Sequence, residues 1–254
     1  IWAATATNFI LRPQPITYYV NDANPTGDVY TTAIGLPSNR GYSSNSPLHS
    51  IQAVLDKYQL LGGDTIKVDT GVYELTNSVT IGVLMSGDST NRTGIIGSTN
   101  LAAGGSVFLP GPGMQDPGFV IQSGHDFNLS YFRLSGFTNG VSVNLANDCT
   151  LAHLDIQGST GVGIPVVLAN RIRMEHVLIR EGQTNAVQLG ASQGINLDGC
   201  VLWSNRSHAI SFCSAQAFVT NSVIEAGNDA TFCYYSSTGG TLRADFHNLS
   251  IHNG

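Results

Sequence analysis

Three side chains that could contact a ligand recur in the sequence at a nearly constant spacing. They are Arg180, Trp203 and Glu225. If each interval forms one turn of a repeating structure, the three side chains form a vertical stripe on its surface. A tryptophan ring can stack on a sugar ring while charged neighbours hydrogen bond to the hydroxyl groups. The stripe is therefore a candidate glycan-binding surface. The alternative is a surface ladder in which the charged side chains lie across the tryptophan and keep it soluble.

Four more residues are candidates for the same surface. Arg133 and Asp155 occupy outward positions of the corresponding strand in two earlier repeats. His153 and His176 share an outward corner of successive repeats, where stacked histidines could bind a metal ion or act as a base. The alternative for the histidines is a column of polar corner residues with no chemical role.

Two carboxylates near the N-terminus are a candidate calcium site. Asp22 and Asp28 lie in the segment NDANPTGDVY, where loop carbonyl groups could complete a shell of oxygen ligands. Asp and Asn also favour such turns without a metal ion. Calcium is the one cofactor that the sequence suggests, and otherwise we expect none.

The four cysteines fall into two pairs. Cys149 and Cys200 lie at inward positions, where cysteine behaves as a small apolar residue. Cys213 and Cys233 end the similar segments ISFC and ATFC, which align as neighbouring turns with Phe212 stacked on Phe232. This alignment brings Cys213 and Cys233 within disulfide range, although parallel Cβ directions are not ideal. A disulfide between them is therefore a prediction, with two free thiols as the alternative.

A sequence repeat with a period in the low twenties positions these candidates. Two apolar residues in alternation are followed, three positions on, by a small or apolar residue and a fourth apolar residue. A second apolar pair precedes each copy, and Gly, Asn, Ser and Thr lie between copies. A fixed period in this range with short alternating segments indicates a β-solenoid. The copies begin at Phe127, Cys149, Ile172, Ile195, Ala217 and Ala244.

Other repeat and sheet architectures fit less well. Leucine-rich repeats share the period but need a regular leucine and asparagine framework, which is missing. A β-sandwich would show independent strands joined by hairpin turns. Stacked coils instead bury a continuous apolar core, with about 4.8 Å between neighbouring strands.

The N-terminal part predicts a cap for the solenoid. Residues 50–61 (SIQAVLDKYQLL) place Ile51, Val54, Leu55 and Tyr58 on one helical face, after Ser50 as a suitable N-cap and before two glycines. A short amphipathic helix can cover the open end of the core. We therefore expect one strand and a polar loop in 1–49, a capping helix in 50–61, and a parallel β-helix in 62–254.

Composition excludes some classes of partner. Only 11% of residues are charged and the net charge is −6, which argues against nucleic acid and mildly against polyanionic polysaccharides. No apolar run approaches the length of a membrane-spanning helix, so no membrane insertion is expected. The chain starts at Ile1 without a methionine, which suggests a processed or excised piece.

The N-terminal segments resemble those of a known superfamily. ITYYVNDANPTGDVYTTAIG and SIQAVLDKYQLLGGDTIKVDTGVYEL are similar to the start of right-handed parallel β-helix proteins of the pectate-lyase-like superfamily, in particular to β-helix domains of large secreted bacterial proteins. The resemblance implies an all-β, single-stranded right-handed parallel β-helix. The superfamily includes lyases, hydrolases, epimerases, phage tailspikes and adhesins, so the resemblance alone does not select an activity.

Two functions are compatible with these observations. The catalytic clusters typical of the superfamily's enzymes are missing, which favours a non-catalytic module that is extracellular or on the cell surface. Such a module would serve as a rigid structural, adhesive or assembly subunit, with weak polysaccharide binding and self-association through an uncapped C-terminal coil. The alternative is a polysaccharide lyase or glycoside hydrolase acting on a weakly charged glycan.

Overall fold

The computed structural model describes residues 15–226, 232–234 and 243–253 and shows the predicted parallel β-solenoid. Every described strand pair is parallel, and each strand inside the stack hydrogen bonds to its counterparts in the preceding and following coils. Apolar side chains alternate along each strand and stack from coil to coil, so one continuous core runs through the middle of the solenoid.

The described residues of the first half of the chain form eleven strands. They are β1 Thr17–Val20, β2 Thr65–Val68, β3 Gly71–Leu75, β4 Val79–Ile81, β5 Thr93–Ile96, β6 Ser106–Pro110, β7 Phe119–Gln122, β8 Phe127–Ser135, β9 Val141–Asn144, β10 Thr150–Gln157 and β11 Ile164–Val167. The helical elements are α1 Ile51–Lys57 and two 3-10 turns, Val83–Met85 and Leu101–Ala103.

The second half continues the pattern with shorter strands. They are β12 Arg173–Glu175, β13 Leu178–Arg180, β14 Val187–Gly190, β15 Ile195–Asp198, β16 Val201–Trp203, β17 Ile210–Cys213, β18 Gln216–Thr220, β19 Val223–Ala226, β20 Phe232–Tyr234, β21 Arg243–His247 and β22 Ser250–Asn253.

These strands form three faces. Face A contains β1, β2, β5, the first parts of β8 and β10, β12, β15, β18 and β21. Face B contains β3, β6, the second parts of β8 and β10, β13, β16, β19 and β22. The two faces belong to one sheet because β8 and β10 run around the corner between them. Face C is a separate sheet of β4, β7, β9, β11, β14, β17 and β20.

The corner between faces A and B is made by one residue per coil. Tyr131, His153 and His176 have φ values of 64°, 52° and 54°, and Gly199 continues the column with φ 62°. A left-handed conformation is unfavourable for a residue with a Cβ atom, and here the stacked strands on both sides fix it. The turn directs these side chains away from the core, so consecutive coils place them in one column.

The predicted core positions are confirmed in the coils from β8 to β19. Leu129, Leu151, Met174, Leu197 and Val219 lie level with one another on face A, and each is at most 1% exposed. The second apolar pair of each repeat forms the inner side of face C and is equally buried. The alternating pattern therefore predicted both the fold and the direction of its side chains.

The capping helix is shorter than predicted. Ser50 accepts a hydrogen bond from the Ala53 N–H at 3.1 Å, as expected of an N-cap, and Ile51 and Val54 are buried. The helix nevertheless ends at Lys57 and not at residue 61, because Tyr58 is extended and its ring stacks on Tyr18 at 5.0 Å. The prediction of a helix over 50–61 was therefore wrong at its C-terminal end.

The last described coil is more exposed than the others. Phe246 and Ile251 lie level with the buried Val219 and Ile224, but they are 39% and 50% exposed. No coil follows them among the described residues. Self-association through this end remains a prediction. In the described ranges, no helix is long and apolar enough to cross a membrane.

Candidate functional site

A groove at the corner between faces A and B brings together four of the predicted site residues. Arg133, His153, Asp155 and His176 line it together with Tyr131, which the sequence analysis missed. The groove has a volume of about 270 Å³. Its remaining lining residues are Leu101, Gly104, Gly105, Ser106, Phe132, Leu154 and Leu178. We call this the corner groove.

Three stacked rings form one wall of the corner groove. The ring centres of Tyr131 and His153 are 4.5 Å apart and those of His153 and His176 are 5.0 Å apart, with planes inclined by 15° and 21°. The predicted shared corner of the two histidines is confirmed. The faces of the His153 ring are covered by its neighbours, so its nitrogen-bearing edge remains for a ligand.

The missed tyrosine carried a signal in the sequence. Tyr131 precedes His153 by one period of the repeat, the same interval that separates Phe127 from Cys149. It therefore occupies the same corner in the preceding coil. Beyond the other end of the stack, a Cβ atom on Gly199 would lie 3.3 Å from the His176 ring, so this ring packs closely against the glycine.

A charged network forms the other wall. The Arg133 Nε lies 3.0 Å from one Asp155 oxygen, and the Arg180 Nε lies 3.2 Å from the other. Arg180 also approaches Glu181 at 3.5 Å. The pKa of Arg180 is raised, chiefly because its guanidinium group hydrogen bonds to Asp155. Asp155 therefore lies between two arginines and accepts hydrogen bonds from both.

The predicted stripe has the expected strand register. Arg180 lies level with Trp203, and Leu202 lies level with Ile224, which places Glu225 directly beyond Trp203. Arg180 directs its guanidinium group to Asp155 in the neighbouring column, where Arg133 and Asp155 are level with each other. Trp203 is 43% exposed. Arg180 therefore links the corner groove to the stripe.

The two candidate calcium ligands are engaged in the N-terminal loop. Asp28 accepts hydrogen bonds from the Asn21 side chain at 2.6 Å and from the Thr31 hydroxyl at 3.3 Å. Asp22 accepts one from the Asn24 N–H at 2.7 Å. Burial raises the pKa of Asp28. Within the described part of the chain, no group of three or more His, Cys, Asp or Glu could hold a metal ion. Calcium binding remains a prediction.

A third carboxylate, which was not predicted from the sequence, organises this loop. Asp69 is fully buried and accepts hydrogen bonds from the backbone N–H groups of Val29, Tyr30 and Thr31 at 2.7, 2.8 and 2.6 Å. Several N–H donors around one carboxylate stabilise a tight loop. Asp69 therefore holds the loop against the end of β2.

The cysteines lie differently from the prediction on one point. Cys149 and Cys200 are buried as expected, and burial raises the pKa of each thiol to about 11. Cys233 lies level with Ser211 and Phe232 with Ile210, whereas Cys213 is level with Gly190. The predicted alignment of Cys213 with Cys233, and of Phe212 with Phe232, was therefore wrong by two positions. Cys213 has a free thiol, and the Cys233 side chain lies outside the described residues.

Face C offers little ionic chemistry. Its seven described strands contain no Asp, Glu, His, Lys or Arg. Its outward side chains include Gln122, Ser142, Asn144, Gln188 and Ser211, which can form hydrogen bonds but carry no charge. A cavity of about 440 Å³ near the N-terminal cap has Asp22, His49 and Glu74 among largely apolar neighbours. The corner groove is where the predicted residues converge.

Comparison with known proteins identifies related folds. A family model described as "Right handed beta helix region" matches residues 117–253. The solved structure of pectate lyase Pel9A superposes with a TM-score of 0.70 at 15% identity, covering 92% of this chain and 63% of that enzyme. Pectin methylesterase from Aspergillus niger gives a TM-score of 0.50 at 14% identity, covering 82% and 83%. No curated protein sequence matches the chain.

These similarities bear on the fold. Identities of 14% and 15% establish a shared architecture and leave the activity open. The chain spans 63% of the length of the pectate lyase. Both solved structures are enzymes whose names refer to pectic polysaccharides. The comparisons give no support to the prediction of a non-catalytic structural module.

Proposed function

We propose, from the premise that this chain belongs to the right-handed β-helix family, that it binds an extended polysaccharide along the corner groove and face B. The observation that carries the proposal is the contact of Arg180 with Asp155, which joins the corner groove to the column of the exposed Trp203. Polysaccharides are the ligands named for the solved structures with the same architecture, which supports this class of ligand. An extracellular location belongs to the same proposal.

The length of the surface favours a polymer over a small molecule. From Arg133 to Glu225 the candidate residues occupy five consecutive coils. At about 4.8 Å per coil these residues span roughly 19 Å along the solenoid axis. A ligand with repeating sugar units can contact a surface of this length at several points.

Each part of the surface can make a different kind of contact with a sugar. The exposed ring of Trp203 supplies an apolar face on which a sugar can stack. The edges of His153 and His176 supply ring nitrogens that exchange hydrogen bonds with hydroxyl groups. Arg133 is 43% exposed and keeps unused N–H donors beyond its contact with Asp155.

A binding experiment with matched variants tests the proposal. Oligosaccharides from neutral and acidic plant and bacterial polysaccharides are titrated against the protein by calorimetry. We expect Trp203→Ala and His153→Ala each to weaken binding at least tenfold. The control His49→Ala removes another histidine and Leu84→Ala removes another exposed apolar side chain. Both lie on other surfaces and should change the affinity less than twofold.

The fluorescence of Trp203 gives a second measurement. Trp2 is the other tryptophan, so a Trp2→Phe variant reports on Trp203 alone. A sugar that stacks on the ring should shift the emission in proportion to the saturation seen by calorimetry. If a ligand binds with full affinity while emission stays constant, Trp203 lies outside the binding surface.

Polysaccharide cleavage by β-elimination is a second candidate, favoured by the ionisable groups in the corner groove. Arg133 could neutralise a uronate carboxylate while His153 or Tyr131 removes the proton from the adjacent carbon. The electron pair then forms a carbon–carbon double bond as the glycosidic oxygen leaves with a proton. Hydrolysis fits less well, since Asp155 is the one carboxylate among the groove's described lining residues and hydrolysis ordinarily needs two.

The two candidates differ in their products. Elimination leaves an unsaturated sugar end, which absorbs ultraviolet light, whereas binding leaves the polymer intact. A lyase would form this product from an acidic polysaccharide and lose activity in His153→Ala or Tyr131→Phe. Binding without any product across the same polysaccharides would eliminate the catalytic candidate and leave the binding proposal in place.

A further inference from the structure

We infer that a second groove, at the other end of the face A strands, binds an oxyanion group carried by a sugar, either a carboxylate or a sulfate ester. Three arginines line it, Arg92, Arg171 and Arg173, in a space of about 410 Å³. We call this the basic groove. Its other lining residues are Asp148, Thr150, Gly194, Asn196 and Phe218. The inference stands on different residues from the proposed function and does not depend on it.

The basic groove concentrates positive charge in an acidic protein. The chain has nine arginines and a net charge of −6, yet three arginines and a single carboxylate line this groove. Arg171 holds that carboxylate, Asp148, through two hydrogen bonds of 2.6 and 2.5 Å. Arg171 therefore neutralises Asp148, and Arg173 pairs with Glu175. Arg92 thus supplies the positive charge that no carboxylate among the groove's described lining residues offsets.

The arginines keep donors available. Arg92 uses one terminal nitrogen for the carbonyl groups of Phe127 and Asp148 and the hydroxyl of Thr150. Its Nε is buried and has no partner among the described residues. Arg173 contacts Glu175 through one terminal nitrogen at 2.5 Å. Because a guanidinium group has five N–H donors in one plane, an oxyanion can accept from the remaining edge.

Two further side chains fit a sugar ring beyond the oxyanion. The Oδ1 atom of Asn196 is buried without a partner in the described ranges, which leaves an acceptor for a hydroxyl group. Phe218 is 41% exposed and lies level with Asn196 in the next coil. Thr150, Arg173, Asn196 and Phe218 occupy consecutive coils and span roughly 14 Å at about 4.8 Å per coil.

The corner groove and the basic groove can be separated experimentally. They lie at opposite ends of the first part of β10, where Thr150 lines one and His153 lines the other. A strand segment of this length spans about 10 Å. The two grooves share no lining residue, so variants of one groove should leave the other intact.

A salt-dependent binding experiment tests the basic groove. Trimers of galacturonate, a sulfated galactan trisaccharide and neutral cellotriose are titrated against the full chain by calorimetry. We expect at least one of the two acidic trimers to bind, and its affinity to fall at least tenfold in Arg173→Gln and Phe218→Ala. The matched control Arg206→Gln removes an exposed arginine elsewhere and should change the affinity less than twofold.

The results decide between specific and non-specific binding. Raised salt should weaken binding of the acidic trimer, and the carboxylate and sulfate trimers show which oxyanion fits. Equal losses in Arg206→Gln and Arg173→Gln would overturn the inference, since general electrostatic attraction would explain them. Equal affinity for cellotriose, or binding of neither acidic trimer by the folded protein, would also overturn it. A loss in His153→Ala but not in Arg173→Gln would place the site in the corner groove instead.

Discussion

At the residue scale, the residues that turn the chain between faces A and B have an unfavourable backbone conformation, and their side chains form an outward-facing row. A residue with positive φ makes the turn in successive coils, and its side chain points out of the solenoid. Tyr131, His153 and His176 occupy this row, and their rings stack one coil apart. The same geometry that closes the coil therefore supplies the ring edges of the corner groove.

One carboxylate of the basic groove gives a prediction for pH dependence. Hydrogen bonds from Arg171 lower the pKa of Asp148 from its ordinary value of 3.8. A lowered folded-state pKa stabilises the fold at pH values above the ordinary value, and this contribution is lost as the pH falls through the folded-state value. Asp148→Asn should therefore unfold more readily than the original protein at pH 6, with a smaller difference at pH 3.

Chemical denaturation at the two pH values measures this effect. Asp116→Asn is the matched control, because Asp116 is an exposed carboxylate on a loop. Its effect on the free energy of unfolding should be small at both pH values. A difference between Asp148→Asn and the original protein that stays constant down to pH 3 would contradict the prediction.

The sequence predicted the columns of residues but not the contacts between columns. The spacing of the repeat correctly placed Arg180 level with Trp203. The strand position of a long side chain does not fix where its charged end lies, so the reach of Arg180 into the Asp155 column was not predictable. The basic groove was missed for a similar reason, because Arg92 and Arg171 come from turns whose paths depend on packing.

At the element scale, the register between coils explains one wrong prediction. Side chains alternate between the two sides of a strand, so a shift by two positions preserves the inward and outward pattern. The segments around Cys213 and Cys233 fit equally well in two alignments on this criterion. In the structure, backbone hydrogen bonding pairs Cys233 with Ser211. The alternation of apolar residues is the same whether Cys233 pairs with Ser211 or with Cys213, so the sequence could not distinguish the two alignments.

Close approach of neighbouring coils gives a prediction for one glycine. A Cβ atom added to Gly97 would lie 2.0 Å from the backbone oxygen of Tyr131 in the next coil. The backbone cannot move without disturbing β5 and β8, so Gly97→Ala should lower the free energy of unfolding by about 1–3 kcal/mol. Thermal or chemical denaturation measures the change.

Another glycine of the same region is the matched control. A Cβ atom on Gly82 would meet nothing within 4 Å, and its φ of −103° suits any residue. Gly82→Ala should therefore change the free energy of unfolding by less than about 0.5 kcal/mol. Similar losses in both variants would show that contact between coils is not the cause.

At the scale of the whole molecule, charge is distributed unequally among the faces. Face C has no charged side chain in its described strands, while both grooves lie on faces A and B. A polymer that used both grooves would cross the short face A strands and then follow the solenoid axis. This arrangement suits a ligand whose sugars differ in charge along the chain.

The parallel coil-to-coil pairing also determines how the molecule should respond to force. All hydrogen bonds between the described strands run along the solenoid axis, and the terminal coils pair on one side only. Under tension the terminal coils should therefore detach first and the others should follow one after another. Each coil should add roughly 75 Å of extended chain as it opens, given the reach of a fully extended backbone. An optical trap should record a series of unfolding steps, each of which releases this length of chain. A single step that releases the whole chain would mean that the coils unfold together. The fold should therefore unfold under force in steps of one repeat each.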